Sequence, residues 1–143
     1  MKNNTHLLVV ADPSSGRGES ALPLARQTLD RGGSVTVVTF LSGEEGAPLG
    51  AFAEVEEVSL IEASEIYLRQ VAERLGGGEG IATTSVLGAD PAGDLLAAIE
   101  ETGATVIALP GTVAGRHRRA VERLTAEASV PVVIAPSQYE AAG

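Results

Sequence analysis

Short runs of buried-strand character recur at regular intervals along this chain of 143 residues, with helix-length segments between them. Residues 6–11 (HLLVVA), 34–41 (SVTVVTFL), 81–87 (IATTSVL), 105–109 (TVIAL) and 130–135 (VPVVIA) are rich in Val, Ile and Leu and end at turn-forming residues. The run 6–11, short and without polar alternation, suits a strand covered on both faces. Strands that alternate with helical segments need crossover connections, which are right-handed and place helices on both faces of a parallel sheet. The expected order is β-α-β-(loop)-α-β-α-β-α-β, an open five-stranded α/β sheet forming a single domain over residues 1–143.

The helical segments carry their own signals. In residues 20–31, Leu22, Ala25 and Leu29 share one helix face, Pro23 requires a start near Ser20, and Gly32-Gly33 ends the helix. Residues 60–75 place Ile61, Leu68, Val71 and Leu75 on one stripe. Asp90 is a candidate N-cap with Pro91 at the first helical position, and this helix turns Leu95, Leu96 and Ile99 inward before Gly103 closes it. Residues 111–115 read as a loop and 116–128 as the last helix. Residues 42–59 show no period and hold five acidic side chains, so they read as an irregular loop. Residues 76–80 (GGGEG) form a flexible connection.

Composition excludes several chemistries. The chain has no cysteine, so it has no disulfide, no thiolate nucleophile and no cysteine-ligated metal. Its only lysine is Lys2, which removes a P-loop or Schiff-base lysine. A net charge of −9 disfavours nucleic acid. With no charged apolar leader and no long apolar run, a cytoplasmic address and no membrane association are expected. His6 and His117 lie far apart in sequence without a third ligand, so no metal is expected. No Ser-His-Asp order or carboxylate pair is defined by spacing, and the expectation is a protein that is not an enzyme.

In an open parallel sheet the ligand cleft lies beyond the carboxyl ends of the strands, where strand order reverses. That rule selects residues 12–18, 40–42, 88–89 and 110–119. The first strand ending in VVADPSS, then VLGADPAGDLLAAIEETGATVIAL, and finally AEASVPVVIAPS resemble the universal stress proteins over roughly residues 6–137. Asp12, Gly88-Ala89-Asp90-Pro91, Val106–Leu109 and Pro131–Ile134 stand where that family's pattern has an acidic strand end, a Gly-x-Pro, an apolar strand and a Pro-Val run. The resemblance implies the adenine-nucleotide alpha-hydrolase-like fold, with strand order 3-2-1-4-5 and a homodimer formed by the fifth strands. Val132, Val133 and Ile134 are then the pairing edge, which an isolated sheet would have to protect.

Some members of the family bind ATP through a Gly-x2-Gly-x9-Gly-Ser/Thr loop after the fourth strand; others lack it. Here that stretch reads PGTVAGRHRRAVERL, with three residues between Gly111 and Gly115, and Arg118-Arg119 where the final Gly-Ser pair would fall. The candidate ligand residues are Ala11, Asp12, Phe40, Leu109, Gly111, Gly115, Arg116, Arg118 and Arg119. The arginines either bind an anion in place of glycine N–H groups or form salt bridges with Glu122 and nearby carboxylates. Asp12 either faces an adenine or ribose edge, as the resemblance implies, or caps the following loop. Residues 14–18 are either a plain turn or a phosphate contact. No cofactor is expected, ATP or another adenine nucleotide being the alternative, and the reading is a stress-response homodimer acting through a protein partner.

Overall fold

The computed structural model describes residues 4–14 and 20–136. Eleven elements follow in chain order: β1 (His6–Val10), α1 (Leu22–Asp30), β2 (Ser34–Phe40), α2 (Gly43–Glu56), α3 (Leu60–Arg74), β3 (Ile81–Val86), α4 (Pro91–Thr102), β4 (Val106–Pro110), α5 (Gly111–Arg116), α6 (Arg118–Glu127) and β5 (Val132–Ala135). All strand pairs are parallel, and the sheet order is β3-β2-β1-β4-β5. The fold class and strand order are those expected.

The central strands divide their side chains between two apolar layers because successive residues point to opposite faces. Leu7, Val9, Val35 and Val37 pack with Leu22 and Ala25 of α1 and with Leu68 and Val71 of α3. Leu8, Val10, Val38, Phe40, Ile107 and Leu109 pack with Leu95 and Ile99 of α4, Val113 of α5 and Leu124 of α6. Helices therefore cover both faces, as the unbroken apolar runs require.

Four sequence readings need correction. Residues 42–59 are not an irregular loop, since 43–56 form α2. Its buried positions are Glu45, Gly46, Leu49 and Ala53, which lie on one helix face. A charge and a glycine occupy two of them, so no apolar period is visible. Gly46 is needed for contact: a Cβ there would lie 2.3 Å from the Leu41 carbonyl oxygen.

The stretch read as loop 111–115 and helix 116–128 is two helices, α5 and α6, broken at His117 (φ −120°, ψ 50°). In α3, Ile61 does not face the core; it is 49% exposed, and Ala63 and Ser64 are buried in its place. Asp90 holds the N-cap position of α4 but makes no side-chain cap. Its carboxylate turns to Arg123 at 3.2 Å, while its carbonyl accepts the Asp94 N–H.

Candidate functional site

β1, β2 and β4 end side by side, and the first residues beyond β1 and β4 converge with the first turn of α2. Asp12 follows β1 by two residues and is fully buried. One carboxylate oxygen accepts the Ser14 N–H (2.9 Å) and hydroxyl (2.6 Å). The other accepts the Thr112 hydroxyl at 2.9 Å and Arg116 Nη1 at 3.0 Å. Asp12 thus caps its turn, and its second oxygen is taken by α5.

Glu45 is the second buried carboxylate, with 1% of its surface exposed. It accepts Arg116 Nη1 at 2.6 Å and lies 3.0 Å from His117 Nε2. A carboxylate only accepts, so Nε2 carries the imidazole proton here. The His117 ring meets Phe40 edge-on, with centroids 6.2 Å apart. Arg116 Nε also reaches the exposed Glu44 at 3.0 Å. Glu44 and Glu45 occupy the first turn of α2, where negative charge suits the helix dipole.

Arg116 therefore joins three carboxylates from two elements. Partial burial opposes its charge, but the hydrogen bond to Glu45 and the charges of Asp12 and Glu45 outweigh that cost. The net effect raises its pKa above the ordinary arginine value. Its position also differs from the one expected. Arg116 ends α5, where a cation is favourable, and only Arg118 and Arg119 begin the next helix.

The remaining candidates are dispersed. Ala11 is buried, donates its N–H to the Val38 carbonyl and accepts the Thr39 hydroxyl. Phe40 and Leu109 are core residues at 1% exposure. Gly111 opens α5, and Gly115 lies within it, exposed, with open space where a Cβ would stand. Arg118 and Arg119 are exposed and form no ion pair among the described residues. Of the alternative salt bridges, none to Glu122 forms among the described residues, while Arg116 pairs with Asp12, Glu44 and Glu45. Residues 15–18 of the candidate turn, and the C-terminal tail, lie outside the described residues.

Sequence reasoning missed Glu44, Glu45 and Thr112, and it set His117 aside. The available signal was charge complementarity between the acidic pair after β2 and the basic run after β4. Among the described residues no group of His, Asp and Glu could hold a metal ion, and no helix is long and apolar enough to cross a membrane.

An open parallel sheet in this order, with polar side chains gathered beyond its carboxyl ends, defines the Rossmann-like class with the adenine-nucleotide alpha-hydrolase-like fold. Within that class the chain belongs to the universal stress protein family, whose model matches residues 3–136. A universal stress protein from Archaeoglobus fulgidus, solved in complex with dAMP, superposes with a TM-score of 0.58 at 19% identity, over 94% of this chain and 98% of that one. A universal stress protein solved in complex with cAMP gives 0.59 at 18% identity, over 94% and 99%. UspA from Lactobacillus plantarum gives 0.62 at 14% identity, over 94% and 99%. At these identities the likeness shows the fold. A comparison with curated proteins finds no match.

Proposed function

We propose that this chain is a cytoplasmic, dimeric stress-response protein that acts by binding a partner rather than by catalysis, and that its own Arg116 closes the cleft beyond the carboxyl ends of the strands. The observation that carries this reading is the Arg116 guanidinium, engaged by Asp12 at 3.0 Å and Glu45 at 2.6 Å, both buried. A cation already neutralised by two carboxylates has little to offer a phosphate, and the carboxylates repel one.

The backbone supports the same reading. A phosphate loop needs free N–H groups turned toward the ligand. Here β4 passes straight into α5 with no glycine loop between them, and Gly115 lies within that helix. On this reading the described residues offer a nucleotide's phosphates no glycine-loop cradle. For the dimer, the support is the β5 edge, where Val133 and Ile134 are 38% and 45% exposed.

Calorimetric titration with ATP, ADP and AMP tests the closed cleft, at low and then physiological salt. The expected result is no saturable heat at millimolar nucleotide. Saturable micromolar binding of any of the three nucleotides would overturn it.

One observation favours a second reading, an anion-binding module. Arg118 and Arg119 stand exposed in the first turn of α6, against the helix dipole and without an ion pair among the described residues. Nucleotide binding lost in R118A/R119A but kept in R116M would support that reading over the first.

A further inference from the structure

The edge opposite β5 is β3, and its free backbone groups follow from the ladder. The Gly80 carbonyl accepts Val35 N–H at 2.8 Å, and the Val86 carbonyl accepts Leu41 N–H at 2.9 Å. In a parallel pair, alternate residues turn their backbone groups to a given neighbour. Positions 80, 82, 84 and 86 therefore face β2, in the register Val35↔Ile81 through Phe40↔Val86. The N–H and C=O groups of Ile81, Thr83 and Ser85 point away from the sheet, and no strand lies beyond them among the described residues.

Sheet edges are usually blunted by lysine, proline or a bulge. The sequence of β3, IATTSV, has no charge and no proline, and its six residues pair with β2 without interruption. On the α4 side this edge borders a groove of about 500 Å³. Its lining includes Thr36, Thr84 and Ser85 from the sheet and Asp94, Ala97 and Glu101 from α4. Positions 94, 97 and 101 share one helix face, and the small Ala97 leaves the groove open between two carboxylates. Asp94 accepts the Gly88 N–H at 2.8 Å, and neither carboxylate has a cation partner among the described residues.

We propose that the β3 edge and this groove receive an extended, basic segment of a partner protein, added as a sixth strand. The outward N–H and C=O groups specify a strand, and main-chain bonding of this kind is an established mode of peptide recognition. Charge selects the occupant. Asp94 and Glu101 lie about 10 Å apart along α4, and lysine or arginine side chains two residues apart on an added strand, about 7 Å, reach both. A second copy of this chain would bring its own Asp94 and Glu101 to the same seam, in a protein of net charge −9. The inference stands whether or not the cleft binds a nucleotide.

The test uses the full chain and a fluorescein-labelled octapeptide of alternating arginine and valine, read by fluorescence anisotropy. The same peptide with glutamate for arginine serves as the charge control. Binding of the arginine peptide alone is expected. T83P removes an outward N–H without touching the β2 ladder, so it should weaken binding about tenfold, the effect of roughly one lost hydrogen bond. E101K should weaken it by a similar factor, about tenfold, through charge alone. Backbone amide shifts on peptide addition should cluster at residues 81–86.

If T83P misfolds by circular dichroism, E101K and the amide shifts decide. Absence of binding at millimolar peptide overturns the proposal. So does equal binding by both variants, which marks unspecific charge attraction, or a lower oligomer mass in T83P, which marks pairing of two copies through β3.

Discussion

Replacing Arg116 by methionine isolates the energetics of the buried cluster, because the side chain keeps its length and loses its charge. Arg116 pairs with Asp12 and Glu45, whose side chains are 0% and 2% exposed, and with Glu44, which is 77% exposed. The Glu44 pair is solvated and contributes less than about 1 kcal/mol. Removing one partner of a buried pair costs about 3–5 kcal/mol, because the other charge stays buried. His117 remains on Glu45, and Ser14 and Thr112 remain on Asp12, so the lower end, about 3 kcal/mol, is expected. At about 2.1 cal/mol/K per residue over 143 residues, unfolding entropy is roughly 0.3 kcal/mol/K, which converts that loss to about 10 °C in Tm. Differential scanning calorimetry on R116M, E44A, E45Q and the R116M/E45Q pair gives the full set. E44A should lose no more than about 3 °C. The double variant should recover part of the R116M loss, since it removes one charge that R116M leaves unpaired. An R116M variant indistinguishable from E44A would refute the reasoning and return Arg116 to the surface.

G46A should lower the unfolding free energy from urea titration by roughly 3 kcal/mol or prevent folding, because its Cβ would meet the Leu41 carbonyl at 2.3 Å; a loss under about 1 kcal/mol would mean α2 sits further from β2. G115A should stabilise by about 0.5–1 kcal/mol, since Gly115 lies in α5 facing open space, whereas a glycine of a phosphate loop would gain nothing. His6 bonds Ser34 and Thr36 through its two ring nitrogens, and burial lowers its pKa from the ordinary value. Its neutral form is therefore the folded form, stability is fully present above about pH 6.5 and falls as pH drops toward the lowered folded value, and H6Q should flatten that fall in denaturant titrations. A charged residue at Val133 should halve the mass measured by light scattering; an unchanged mass refutes β5 pairing.

The sheet was legible because its evidence is local and repeated. Leu8, Val10, Val38 and Ile107 are each 0–1% exposed and each lies in an apolar run that only a doubly covered strand needs. The helices α1, α3 and α4 were legible wherever apolar side chains filled the inward face. α2 failed that test for a physical reason: its inward face holds Glu45, stabilised by Arg116 from 71 residues away. A buried ion pair replaces apolar burial there, and no window of local sequence contains both partners. Ile61 failed in the opposite sense, since an apolar residue on a helical stripe is buried only if a neighbour covers it, and here it is exposed.

The basic run after β4 shows most directly why the candidate site was only half readable. Taken as one helix start, Arg116, Arg118 and Arg119 all oppose the dipole, and an external anion is the natural compensation. The break at His117 changes the sign of that argument for one of them. Arg116 becomes the last residue of α5, on the favourable end of its own helix and facing the favourable acidic first turn of α2. Two helix ends of opposite polarity thus meet across the cleft, each carrying the side chain that suits it, with Asp12 beneath. Arg118 and Arg119 keep the original conflict on α6 and remain exposed. One residue of backbone irregularity therefore splits the run into an internal brace and a solvent-facing pair. This is why the two halves call for separate substitutions rather than a single triple variant.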